Sequence, residues 1–124
     1  MRFDNLDPWP EAVPLIEIRS RGSTFDLHNW GEFVGFGFET PDSLSLSFLY
    51  ARPDGEPGDE GTVIRLRFSS VRCLVVTQAP DFEPRVVGDL NHWLWQDRGA
   101  GQGRVEFRFG DLVLEFRAEA VEIE

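Results

Sequence analysis

The chain of 124 residues contains no lysine, and all 12 of its basic residues are arginines. A Schiff-base lysine, the lysine of a phosphate-binding loop and an amine general base are therefore excluded. The only cysteine, Cys73, has no partner for an internal disulfide, which fits a reducing cytoplasm. Because Cys73 lies in the apolar run 71–76, we expect it to be a small core residue.

Long hydrophobic runs and positive charge are also missing. No apolar run approaches the ~20 residues that cross a bilayer, and residues 1–14 carry acids and prolines where a secretory signal would need positive charge. The 22 acids against 12 bases give a net charge of −10. This charge repels phosphate backbones and anionic membranes, so we expect no nucleic-acid or membrane partner, whereas a basic protein would be attracted.

Alternation of apolar and polar residues predicts strands with one buried face. It is clearest in 43–50 and 62–68, and 33–39 should pair with 43–51 through the turn 40–43. In 33–39 the alternation places Val34, Phe36 and Phe38 on one face, opposite glycines that would permit a bulge or a close backbone approach. Segments 13–18 and 71–77 are further strand candidates.

The last hairpin carries the strongest local prediction. If Gly110 and Asp111 form a two-residue turn, with Gly110 supplying a positive φ, the numbers of paired residues sum to 221. The apolar side chains of both strands then share one face, and the charged ones share the other. The apolar phase changes after Ala118, which predicts a bulge or bend near 119–120.

One segment has two possible local structures. The helical spacing of Val87, Leu90 and Leu94 competes with a strand in which Trp93 and Trp95 share a face, and both alternatives stay open. Residues 96–103 are glycine-rich and predict a mobile loop, as do residues 52–61.

The whole pattern predicts a single all-β domain over 1–124, an antiparallel sandwich or partly open barrel of about seven to eight strands with at most one short helix.

Catalytic and metal signatures are weak. The two histidines, His28 and His92, lie in similar contexts, each near an aspartate and a tryptophan, but without the spacing that fixes two metal ligands on one element. No serine sits in a nucleophile elbow. We therefore expect no catalytic residue, no metal and no cofactor.

Part of the chain resembles a known group. The runs 63–71 (VIRLRFSSV) and 105–123 (VEFRFGDLVLEFRAEAVEI) are similar to the C-terminal half of small bacterial all-β proteins grouped with the immunity proteins of polymorphic toxin systems. The resemblance covers strand patterns over about half of the chain, with no catalytic signature. It implies a cytoplasmic, non-catalytic protein that binds and neutralises a toxin domain.

Three functions remain open. The leading one is a non-enzymatic binding protein with a basic partner such as a cognate toxin, whose contact surface combines loop acids and exposed aromatics, namely Asp54, Glu56, Asp59, Glu60, Trp93 and Trp95. The second is a barrel that holds a small apolar ligand. The third is a hydrolase that uses carboxylates with His28 or His92. Self-association stays open as well.

Overall fold

The structure is a computed structural model that describes residues 1–51, 61–81 and 89–124. The described residues form eleven strands and one four-residue helix, α1 (Leu27–Trp30). The strands are β1 (Arg2–Asp4), β2 (Glu17–Ser20), β3 (Ser23–Asp26), β4 (Gly31–Thr40), β5 (Ser43–Tyr50), β6 (Thr62–Ser69), β7 (Arg72–Gln78), β8 (Leu90–Gly99), β9 (Gln102–Phe109), β10 (Leu112–Ala118) and β11 (Ala120–Ile123).

Two sheets pack face to face around one aromatic core. The first sheet has the order β1-β11-β6-β5-β4, the second has the order β7-β10-β9-β8, and β2 and β3 form a separate ribbon. All described pairings within these sheets are antiparallel except that of β1 with β11. The predicted all-β sandwich is confirmed, with more strands than expected because four of them are only three or four residues long.

The first sheet follows the alternation of its sequence. Strand β5 pairs with β4 on one side and with β6 on the other, as predicted. The apolar side chains at every second position of β5 and β6 are buried, and they are Leu44, Leu46, Phe48, Tyr50, Ile64, Leu66 and Phe68.

The β9–β10 hairpin has the predicted register. Leu114 pairs with Phe107 and Phe116 pairs with Val105, so the numbers sum to 221, and all four side chains are buried. On the outer face Arg104 forms the expected diagonal ion pair with Glu115. The predicted turn type is wrong, because Gly110 is not among the described glycines with positive φ.

The change of phase after Ala118 marks the point where the chain crosses between sheets. Strand β10 ends in the second sheet, and β11 begins two residues later in the first. Glu119 stands between them and ties the crossing to two neighbours, since its N–H donates to Ser69 O (3.0 Å) and its carbonyl accepts from Arg2 N (2.8 Å). Val121 is fully buried as a result of the crossing.

The predicted loop at 96–103 is instead a tight hairpin. Strands β8 and β9 leave only Ala100 and Gly101 between the paired residues Gly99 and Gln102. Both turn residues have positive φ (53° and 76°), as a type I′ turn requires, and this turn matches the twist of the flanking strands. The strand alternative for the segment that begins at Leu90 is therefore correct.

Two further expectations are corrected. Of 13–18 only the last two residues belong to a strand, β2, while Leu15 forms an isolated bridge with Trp93. Cys73 is exposed and has a positive φ of 58°. It lies where the register between β7 and β10 shifts, and this irregularity turns its side chain away from the core.

The core is filled by rings from both sheets. Trp93 stacks on Phe107 with ring centroids 5.6 Å apart, and Trp9 meets Trp93 edge to face at 5.5 Å. Phe68 packs edge to face against Phe107 and Phe116. No helix among the described residues is long and apolar enough to cross a membrane.

Candidate functional site

Of the six residues predicted to form a contact surface, the structure describes only Trp93 and Trp95. Asp54, Glu56, Asp59 and Glu60 lie outside the described residues. Trp93 is completely buried and Trp95 is 8% exposed, so neither ring offers the exposed aromatic surface that was expected. Trp95 Nε1 donates to Trp9 O at 3.0 Å, which fixes its ring inside the core.

The two histidine segments do meet. Nδ1 of His28, in α1, lies 2.5 Å from the carbonyl oxygen of Leu90, two residues before His92. Because a carbonyl oxygen only accepts, Nδ1 carries the proton. Asp26 caps α1 by accepting from Asn29 N at 2.9 Å. Among the described residues no three side chains of His, Cys, Asp or Glu are grouped as metal ligands would be.

The feature that stands out is apolar surface on β4. Val34 is 56% exposed, Phe36 is 39% exposed and Phe38 is 50% exposed. Three large apolar side chains exposed on one ten-residue strand mark a candidate contact site.

A bulge explains why these side chains face two ways. Phe36 pairs with Leu46 and Phe38 pairs with Leu44, so both rings lie on the core face of the sheet. The register shifts between Phe33 and Gly35, and the extra residue there is Val34. Val34 lines the same surface groove as Ser47 and Val63, whose side chains belong to the outer face.

On the outer face, β4, β5 and β6 form an open groove of about 530 Å³. Its floor consists of small residues from two paired strands, with Gly35 opposite Ser47 and Gly37 opposite Ser45. Its apolar lining consists of Val34, Phe36, Phe38 and Val63. A Cβ added at Gly37 would meet nothing within 4 Å, so the groove reaches down to the backbone there.

Charged side chains from three strands stand at one end of this groove. Arg67 of β6 pairs with Glu122 of β11, with Glu124 at 2.7 Å and with Glu39 of β4 at 3.3 Å. Arg65 lies 3.6 Å from Glu124 and 3.9 Å from Glu39. Because the pairs share their members, the cluster holds β4, β6 and β11 together across the outer face.

The neighbours of Glu39 lower the pKa of its carboxyl. The hydroxyl of Ser45 is the main cause, and Arg67 and Arg65 add to it, while desolvation acts in the opposite direction. Ser45 Oγ is buried and makes no hydrogen bond of normal geometry, yet it lies close enough to favour the charged carboxylate. The pKa of Arg67 is raised, first by its hydrogen bonds to Glu122.

Two observations concern the apolar-ligand and hydrolase alternatives. The core between the sheets is occupied by aromatic rings, and the described clefts open to the surface, including those of about 330 and 360 Å³ beside Trp9 and Phe25. Among the described residues neither histidine side chain has a carboxylate as a hydrogen-bond or ion-pair partner.

No protein-family model, no curated protein and no solved structure matches this chain. Any function of the β4 surface must therefore be inferred from the residues of this chain.

Proposed function

We propose that the chain is a non-catalytic binding protein that attaches to a basic protein partner. The observation that carries this proposal is the exposed apolar surface of β4 in a chain with a net charge of −10. Apolar surface supplies contact energy, while opposite charge steers the encounter and selects the partner. The apolar surface and the net charge both favour binding, and neither feature implies catalysis.

An immunity protein that neutralises a toxin domain in the cytoplasm is the specific form of this function that we propose. The resemblance of 63–71 and 105–123 to immunity proteins supports it. An exposed, single cysteine also suits a reducing compartment, because a surface thiol would be oxidised or cross-linked elsewhere.

The proposal is tested by capturing the partner from the source cell at low and high salt and then rebuilding the complex from two purified proteins. We expect a basic partner whose affinity falls as salt rises, because screening weakens attraction between opposite charges. Co-expression should protect growth if the partner is toxic. A chain that forms no binary complex with any captured protein at low salt is not a binding protein of this kind.

Charge variants show whether acids of the chain touch the partner directly or only attract it through the net charge. The variant Asp54→Asn, Glu56→Gln, Asp59→Asn, Glu60→Gln should bind the purified partner at least about tenfold more weakly if these acids touch it. A control with the same change in net charge, Asp7→Asn, Glu17→Gln, Asp111→Asn, Glu119→Gln, should bind within about threefold of the original chain. Equal losses would mean that only the total charge matters and that these four acids make no contact.

A further inference from the structure

Strand β4 exposes apolar side chains on both of its faces. Phe36 and Phe38 project on the core face, and Val34 projects on the outer face beside the groove. A helix or loop laid on one face of the sheet would cover only one of these two sets. A single element covers both sets only if it lies alongside the edge of the strand, as another strand does.

The edge of β4 is available for such an element. Within the described residues β4 pairs with β5 alone and is the last strand of its sheet. An edge strand presents a row of unpaired N–H and C=O groups that an extended segment can pair with. Bulges at Val34 and near Glu39 interrupt the regular pairing near the two ends of β4. Residues 35–38 between them remain paired in a continuous register.

The other sheet edges differ from β4. Strand β8 is covered by the N-terminal segment, since Ala12 N donates to Trp95 O at 2.8 Å and Leu15 N donates to Trp93 O at 2.7 Å. Strand β1 has only three residues. Strand β7 also exposes apolar side chains on both faces, with Val76 opposite the buried Leu114 and Val75 opposite Glu115, but it carries no aromatic side chain. Strand β7 therefore serves as an internal comparison.

The charges around β4 indicate what the added strand carries. The exposed acid Glu32 stands at the start of the strand, and Glu39 and the exposed Asp42 stand at its end. Among the described ion pairs Glu32 and Asp42 have no cationic partner. Acids at both ends of an apolar strand favour an incoming segment with basic residues at both ends and apolar residues between them.

A second copy of this chain fits less well. It would bring another charge of −10 against the first. The edge of one ten-residue strand is also small compared with the about 800 Å² that each partner buries in a standard interface. An extended segment of an oppositely charged protein avoids the repulsion between like charges, and a peptide-sized contact by strand addition does not need the area of a dimer interface.

We propose that β4 receives, as an added strand, an extended segment of a partner protein with alternating apolar side chains and arginine or lysine at both ends. This inference rests on the proposed function and names the site and the chemistry of its partner. The groove floored by Gly35 and Gly37 then receives side chains from the outer face of the added strand.

The test uses a random peptide library displayed on phage and selected on the intact protein at low salt. We expect enriched peptides to alternate apolar and polar residues and to carry basic residues near both ends. A synthetic copy of an enriched peptide should bind at least about tenfold more weakly to the Val34→Lys and Phe38→Lys variants. The matched Val75→Lys variant on β7 should bind within about twofold of the original chain.

N-methylation of the peptide distinguishes strand addition from plain apolar contact. Alternate N–H groups of a strand point toward the same neighbour. Methylating one alternate set should abolish binding, while methylating the set shifted by one residue should preserve it. Equal effects of the two patterns would overturn the proposal, as would peptides that bind Val34→Lys and Phe38→Lys unchanged or a selection without enrichment.

Two controls keep the outcomes apart. Sedimentation should show that the original chain is a monomer at low and high salt, and a dimer that Phe38→Lys dissociates would assign the edge to a second copy. If a captured partner binds the Val34→Lys and Phe38→Lys variants as well as the original chain, the edge proposal fails while the proposed function stands. If peptides select β4 but no partner complex forms, the proposed function fails instead.

Discussion

The thiol of Cys73 lies on the surface because the backbone at this residue departs from a regular strand. Its φ is 58°, and the register with β10 shifts between Glu115 and Arg117. Residues other than glycine pay a steric penalty at positive φ, so the neighbouring pairs must hold Cys73 in this conformation. The strand continues past it, with Val76 paired to the buried Leu114.

Exposure of this thiol makes it reactive in the folded protein. We expect an aromatic disulfide reagent to label one thiol per chain in the absence of denaturant, because the reagent can reach an exposed side chain. The Cys73→Ser variant should show no labelling. Labelling that requires denaturant would place the thiol in the core after all.

At Glu39 the local charges link stability to pH. The pKa of its carboxyl is below the ordinary value of 4.5, so the unfolded chain binds more protons near that pH than the folded chain does. The stabilising contribution is therefore fully present above about pH 4.5 and is lost as the pH falls through the folded pKa.

The Glu39→Gln variant tests this linkage. We expect it to unfold at a lower urea concentration than the original chain at neutral pH, and we expect the difference to vanish as the pH falls below the folded pKa of Glu39. High salt should also reduce the difference, because the group is exposed. The Glu32→Gln variant on the same strand is the control, because Glu32 has no partner among the described ion pairs, and it should unfold at nearly the same urea concentration as the original chain at neutral pH. A difference that persists at low pH would mean that the charge of Glu39 is not its cause.

At the scale of elements, the turn between β8 and β9 places Ala100 in a conformation that suits another residue better. Its φ of 53° is unfavourable for alanine, whereas asparagine tolerates it and favours this position of a type I′ turn. We expect Ala100→Asn to raise the free energy of unfolding by about 0.5 to 1 kcal/mol. Gly101→Ala should lower it by about 1 to 2 kcal/mol. Urea unfolding measures both changes. If the two variants changed the free energy of unfolding in the same direction, the type I′ turn would be contradicted.

The interior strands were predictable because each has one buried face. Alternation in β5, β6, β9 and β10 fixes which side chains point inward, and a slip of one residue would expose all of them. Strands β1, β2 and β3 were not predicted as they are, because three or four residues carry too little periodicity.

The β4 surface was beyond sequence reasoning for a physical reason. Alternation shows which side chains share a face, but it does not show whether the other sheet extends over that face. Phe36 and Phe38 share the face of Leu46 and Leu44, yet they remain exposed while their partners are buried. The bulge at Val34 was anticipated as one effect of the glycines, but its consequence for Val34 depends on the register with β5.

At the scale of the whole molecule, the chain links its two sheets through the β10–β11 crossing. Strand β10 is an inner strand of one sheet, and β11 lies between β1 and β6 in the other. The same rings serve both sheets, since Phe68 of the first packs against Phe107 and Phe116 of the second. Neither sheet can keep its core face covered when the other unfolds.

This linkage predicts a single cooperative unfolding transition. We expect urea curves followed by tryptophan fluorescence and by far-ultraviolet circular dichroism to coincide, because Trp9, Trp93 and Trp95 report the shared core and the dichroism reports all strands. Phe68→Ala should shift both curves together by about 3 to 5 kcal/mol. An exposed control, Val63→Ala, should leave both nearly unchanged. Two separated transitions would show that the sheets fold independently, and then the crossing at Glu119 would join two units rather than one.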